Sequence, residues 1–243
     1  MTLYLVVMFA AFLGGVIQST TGFGSGIIML LFFPAFLSVV QSAALSNMIS
    51  IILLATMAWR YRKYAQWDKI WFPMAIYTAV AVGILLALPG MDASGLKLYF
   101  SLFLVALGVY FIFFSKNFQL KANIPTAIVC SVISGAASGF FGIGGPLMAV
   151  YFLGVLGDDK EGYIGTTQVF FFITSFINNM IRVANGIMTA DLVVPMLIGI
   201  VGMTVGSLIG GKILAKLKVD LFKKVIYGFI LVAGCISAVD CLL

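Results

Sequence analysis

Apolar residues run through this chain in long stretches, and the short loops between them hold nearly all of the charge. Ten stretches stand out, at roughly 3–20, 24–37, 39–59, 70–89, 95–115, 122–141, 145–157, 162–185, 191–214 and 220–241. An α-helix rises about 1.5 Å per residue, so a hydrocarbon core of about 30 Å needs about 20 residues to cross. Most of the stretches meet that length; 24–37 and 145–157, at about 20 Å each, do not. Both short stretches follow a glycine cluster. The first reads Gly14-Gly15-Val16-Ile17-Gln18-Ser19-Thr20-Thr21-Gly22-Phe23-Gly24-Ser25-Gly26, and the second runs from Ser134 through Gly135, Gly139, Gly142, Gly144 and Gly145 to Pro146. Glycine costs about 1 kcal/mol relative to alanine inside a helix and opens positive φ, so each cluster predicts a helix break. In lipid, the unpaired amides and carbonyls of a break must face protein or a water-filled cavity. Such a place suits a polar solute.

Composition fixes the solvent. The chain is 63% hydrophobic and 9% charged, with a mean hydropathy of +1.18 over 243 residues, which no soluble domain tolerates on its surface. The expected fold class is an all-α integral membrane protein, a polytopic helical bundle forming one membrane domain over residues 1–243. No Lys or Arg precedes Arg60, so the first stretch reads as a permanent helix rather than a cleaved signal. The three cysteines, Cys130, Cys235 and Cys241, lie in apolar surroundings without metal-ligand spacing and read as packing thiols. Histidine is absent, and the eight carboxylates fall at or near stretch ends. That leaves no titrating relay, metal cluster or cofactor site in the bilayer interior, which counts against a pump and against a membrane metalloenzyme. No nucleotide- or nucleic-acid-binding signature is present, and Gly22 to Gly26 does not follow a strand.

Charge then orients the stretches. Arg60, Arg62, Lys63 and Lys69, then Lys116 and Lys121, then Lys160, then Lys212, Lys216, Lys218, Lys223 and Lys224 fall on one side if every stretch crosses; only Lys97 and Arg182 fall on the other. The positive-inside rule makes the crowded side cytoplasmic and puts both termini outside. Gly15, Gly22 and Gly24 match Gly135, Gly142 and Gly144 at one offset, and Asp68, Pro73 and Gly83 match Asp191, Pro195 and Gly206 at nearly the same one. The basic loop from Arg60 to Lys69 corresponds to the sparse loop from Arg182 to Asp191, and the sparse loop at Asp92 to Lys97 to the lysine-rich loop at Lys212 to Lys224. Such a swap is the signature of two repeats of odd crossing number inserted in opposite directions, about 1–118 and 119–243. If each short stretch dips in and returns with its predecessor, the crossing number falls but stays odd.

Two half-helices starting near mid-depth would aim free amides and positive dipole ends at one central point, which fits an anion. Pro146 suits a first helical turn, and Ser25 or the Gly24 to Gly26 backbone takes that place in the first half. The candidate solute-binding residues are Thr21, Gly22, Gly24, Ser25, Asn47, Gly142, Gly144, Gly145, Thr166, Thr167 and Gln168: the glycines and Ser25 for backbone charge, the others for orientation. Gln18, Ser19, Thr20, Ser46 and Ser50 are further polar groups deep in apolar stretches, costly unless paired or wetted. Their bland reading is glue between helices, just as Gly135 and Gly139 would serve close packing. Asn178, Asn179 and Arg182 lie where an anion would approach, but for Arg182 an interfacial snorkelling charge is the preferred reading. Phe170, Phe171 and Phe172, and the run Tyr110 to Phe114, read as packing or lipid-facing surface, and Trp59, Trp67 and Trp71 as an interfacial belt.

The paired glycine motifs, Gly15 to Gly26 and Gly135-x3-Gly139-x2-Gly142-x-Gly144-Gly145-Pro146, with Thr166-Thr167-Gln168 on the following helix and the duplicated layout, resemble the sulfite exporter TauE/SafE family of bacterial membrane permeases over nearly the full length. The first motif departs from the pattern, with Ser25 where a glycine run is common and no proline after Gly26. The resemblance implies a plasma-membrane transporter of small sulfur-containing or organic anions such as sulfite or sulfonates. Its partners would be a small anionic solute and the lipid bilayer, and a homo-oligomer is left open. The rival readings are a passive anion channel, in which the breaks form a filter, and a membrane scaffold subunit, in which the glycines only pack.

Overall fold

A computed structural model describes residues 1–88 and 123–216, with the isolated helical positions Leu102 and Leu221. Among the described residues every regular element is helical: α1 (Thr2–Thr21), α2 (Ser25–Phe32), α3 (Val39–Tyr61), α4 (Trp67–Ala87), α5 (Ile124–Phe141), α6 (Gly145–Leu156), α7 (Lys160–Ala184) and α8 (Val193–Lys216). These fall within about three residues of the boundaries expected from hydropathy, except that α2 ends at Phe32, five residues before the expected end. The expected stretches 95–115 and 220–241, with Tyr110 to Phe114, Cys235 and Cys241, lie outside the described residues apart from the two isolated positions. Five helices of the described region are long and apolar enough to cross a membrane.

Local sequence sets several starts. Ser38 accepts from Gln41 N (3.2 Å), and the Gln41 side chain returns a bond to the Ser38 backbone, closing a capping box on α3. Asn123 caps α5 through Thr126 N (2.9 Å), and Asp159 caps α7 through Gly162 N (2.8 Å). In each case a side-chain oxygen satisfies an amide that the first turn leaves orphaned.

One end of the bundle gathers the basic loop. Gln66 N donates to Thr166 Oγ1 (3.0 Å), Gln66 Nε2 to Asp159 (3.1 Å), and Lys160 Nζ to Leu214 O (2.7 Å). Residues 61–69, the start of α7 and the end of α8 therefore share that end, together with Arg60, Arg62, Lys63, Lys69, Lys160, Lys212 and Lys216. Relative to it, α3 arrives and α7 leaves. The exposed Trp59, Trp67 and Trp71 flank the same end, Arg62 stacking 3.8 Å from the Trp59 ring centroid, as an interfacial belt requires.

Small residues decide which helices meet. A Cβ on Gly202, Gly206 or Gly210 of α8 would overlap the carbonyls of Met8, Phe12 and Val16 in turn, and one on Gly15 of α1 would overlap Met203 O. The two helices thus lie backbone to backbone and parallel, in the closest packing of the described region. In the same way a Cβ on Gly135 would stand 2.6 Å from Tyr77 O, and one on Gly139 2.8 Å from Ile84 Cβ, so α5 runs parallel to α4. Lipid tails are as apolar as leucine, so close backbone approach and its dispersion contacts replace the hydrophobic drive that assembles soluble bundles. The packing reading of Gly135 and Gly139 is therefore correct for that part of the second cluster. Because α8 runs toward the basic end and α4 away from it, α1 and α5 point in opposite directions.

Of the two readings of Phe170 to Phe172, packing or lipid-facing, Phe170 and Phe171 take the first, both being buried, while Phe172 is partly exposed. Phe170 is fully buried, stacked edge-on between Tyr77 (centroids 5.1 Å) and Phe152 (5.2 Å) in the centre of the core. Phe172 and Ile173, next along α7, stay partly exposed and Phe176 is exposed, so the helix keeps one side for lipid.

Candidate functional site

Both glycine clusters break their helices. Gly22 (φ +89°) ends α1 in the left-handed region, its amide bonded to Gln18 O (2.8 Å); Gly142 (φ +70°) ends α5 likewise, its amide bonded to Ser138 O (2.9 Å). A side chain at either position would strain the backbone, since Cβ clashes with the following carbonyl at such φ. After each break the chain doubles back. Phe32 of α2 packs edge-on against Phe9 of α1 (6.2 Å), and Ser131 Oγ of α5 donates to Met148 Sδ of α6 (3.8 Å).

The two breaks meet. A Cβ on Gly26 would lie 3.5 Å from Gly142 O, and one on Gly145 3.1 Å from Phe23 Cβ. Between them is a partly open pocket with about 490 Å³ of atom-free space, walled by Gly24 to Ile27 from one break and Gly142 to Pro146 from the other. The first turns of α2 and α6 thus both end at this pocket, and helix N-termini carry partial positive charge. Gln18, Asn47, Ser50, Tyr77, Ser138 and Ser175 add neutral hydrogen-bonding groups, while Phe23, Leu54 and Phe171 supply apolar wall. Ser25 hydroxyl bonds Gln18 Oε1 and lies 2.9 Å from Ser50 Oγ; Ser138 Oγ accepts from Asn178 Nδ2 (3.0 Å). Among the described residues the pocket lining contains no carboxylate, lysine, arginine or histidine, so what these offer a solute is dipoles and hydrogen bonds.

The expected residues divide. Gly24, Ser25, Asn47, Gly142, Gly144 and Gly145 line the pocket. Thr21, Gly22, Thr166, Thr167 and Gln168 do not. Thr21 Oγ1 turns onto Ile17 O (3.0 Å) and Phe23 O (2.7 Å), closing the break from within. Gln168 Nε2 donates to Gly22 O (2.7 Å), and Tyr163 hydroxyl to Thr21 O (3.2 Å), so α7 clamps the first break from outside the pocket. Thr166 holds the Gln66 amide at the basic end, and Thr167 is buried with no hydrogen-bond partner for its hydroxyl among the described residues. Asn47 stands against Gly142, where a Cβ would overlap its amide nitrogen, and Asn179 Nδ2 reaches Asn47 O (3.4 Å).

Sequence reasoning singled out neither Tyr77 nor Ser175. A tyrosine in an apolar stretch looks like packing, and only the α4–α5 contact, which crowds its hydroxyl against Gly144, brings it to the pocket. The snorkelling reading of Arg182 is overturned: the side chain is 0% exposed, and its Nη2 donates to Ser138 O and Gly139 O (3.0 Å each). An arginine one turn from a helix end snorkels only if its stem points outward, and here α5 and α4 enclose it.

Fold and pocket together define a class, the multi-pass helical membrane protein with a polar pocket inside its bundle. The chain belongs to the sulfite exporter TauE/SafE family, whose model matches residues 7–236. This is a family of membrane transporters, as the paired motifs imply. No curated protein and no solved structure matches the chain.

Proposed function

We propose that the protein is a secondary transporter that exports small sulfur-containing or organic anions, sulfite or a sulfonate among them, by alternating access. The observation that carries this reading is the meeting of both helix breaks at one pocket, where two N-terminal first turns and neutral hydrogen-bonding side chains converge. Amide dipoles without a contacting lysine or arginine hold an anion loosely enough for it to leave again. An inside-negative potential contributes about 2.3 kcal/mol per charge per 100 mV to export, so no coupled proton is needed.

Alternating access needs two halves related by inversion, and the packing supports that reading. The α1–α8 contact has its counterpart in α4–α5, α3–α8 in α4–α7, and α3 packs on α7 across the middle. Each broken helix and its returning partner act as a re-entrant hairpin in opposite leaflets. The basic end faces the cytoplasm of a bacterial cell and the termini face outward, by the positive-inside rule.

A thermal-shift screen of purified protein against sulfite, sulfate, sulfonates and small carboxylates tests the reading. One class of anion should raise Tm, with a stabilisation of about 2.7 kcal/mol at a hundred times Kd. Liposomes loaded with that anion should then show counterflow. If no anion stabilises the protein and none moves, the reading fails; flux without counterflow would favour a passive channel instead.

A further inference from the structure

Arg182 is the one buried charge among the described residues, and no carboxylate answers it. The ion pair of the described region, Lys69 with Asp68, lies exposed at the basic end. The guanidinium spends Nη2 on the carbonyls of Ser138 and Gly139 in the last turn of α5, while Nε and Nη1 have no partner among the described residues. Ser138 and Tyr77 both line the pocket; Ser138 O accepts from Arg182, and Tyr77 is within electrostatic range of the charge. Along α7 the polar positions Ser175, Asn178, Asn179 and Arg182 follow one another at helical spacing from the pocket wall outward. Asn178 and Asn179 also keep unpartnered side-chain oxygens.

An arginine cannot shed its proton in a protein, so it cannot escape burial by becoming neutral. Two carbonyls at a helix C-terminus offset part of its charge. The remainder acts through a medium of low polarisability, where a unit charge a few residues away is felt strongly.

We infer that Arg182 is the fixed countercharge of the pocket: the solute anion completes an otherwise unanswered buried cation, and the pocket selects solutes by their charge. This rests on the anion-carrier reading above and adds a substrate rule to it. Neutral molecules of the same size are rejected, and among oxyanions of similar shape the divalent form gains twice the Coulomb term of the monovalent one. Arg182 does not line the pocket, so it is a positioning and specificity residue rather than a contact.

The test compares methanesulfonate with sulfate on the full-length protein in detergent, by titration of wild type and R182Q. Removing the charge should weaken methanesulfonate by about tenfold and sulfate by about a hundredfold, the doubled logarithm that Coulomb attraction demands. A merely structural loss, through α5 losing its C-terminal partner, would weaken both probes alike. Equal losses, or unchanged affinities, overturn the inference while leaving the transporter reading intact; failure of wild type to bind any anion in the screen above overturns both. Should R182Q not fold, R182K carries the test. It keeps the charge, so both affinities should stay within about threefold of wild type, and a folded R182K that loses both equally overturns the inference.

Discussion

At the scale of single residues, position on the helix decides whether a polar group is a site or a bystander. Thr20 bonds Val16 O (2.7 Å), Ser50 bonds Ser46 O (2.8 Å) and Thr174 bonds Phe170 O (2.9 Å). A hydroxyl in an apolar helix can always turn to the carbonyl four residues back, so its presence at mid-depth says little about a ligand. Thr21 is the case that misleads: it looks like a pocket residue and is a clasp. Gly144 is the opposite case. A Cβ there would overlap the Tyr77 hydroxyl in the pocket wall, and its φ of −106° is open to alanine. Gly144→Ala should therefore fold, shift the ligand-free Tm by only a few degrees, and weaken anion-dependent stabilisation at least tenfold in a thermal scan. Full retention of that stabilisation would remove the second break from the binding site.

At the scale of elements, the glycines divide into those that break helices and those that let helices touch. Gly206 faces the Phe12 carbonyl, whereas a Cβ on Gly211 meets nothing within 4 Å. Gly206→Ala should thus destabilise the bundle by about 1–3 kcal/mol, the usual cost of forcing extra volume into a packed contact. Gly211→Ala should be neutral or stabilise by up to about 1 kcal/mol through helix propensity. Denaturation of the two variants in the same detergent checks the contrast, and a neutral Gly206→Ala would mean that the α1–α8 contact is looser than its backbone approach implies. Clamping works at the same scale. Gln168 on α7 grips the break at Gly22, and Asn47 on α3 stands against the break at Gly142. Each break is thus braced by a long helix from the other part of the chain, which ties any tilt of α3 against α7 to the shape of both pocket walls.

At the scale of the whole molecule, orientation in the membrane is the quantity that direct labelling can read. Lys63 is exposed at the basic end and Thr189 is exposed in the loop before α8, at the end away from it. With the native cysteines replaced by serine, Lys63→Cys should react with a membrane-impermeant thiol reagent only after the inner face is opened, and Thr189→Cys should react in intact cells. The reverse pattern would invert the topology and with it the direction in which the membrane potential drives an anion.

Hydropathy, the two glycine clusters and the asymmetric charge were enough to read a helical membrane protein, eight of its helices to within a few residues, and both breaks. All of these depend on interactions along the chain or with the solvent: how much apolar length lipid demands, where a backbone without Cβ can turn, and which side attracts lysine. What the sequence could not decide is which side chains face inward at the breaks. That choice depends on the rotation of each helix about its axis, set by contacts between residues far apart in the chain, such as Gly135 on Tyr77 and Gly206 on Phe12. Only those contacts send Thr21 and Gln168 to brace the first break, bring Tyr77 to the pocket, and enclose Arg182 where its position near the end of an apolar stretch suggested a charge reaching for water.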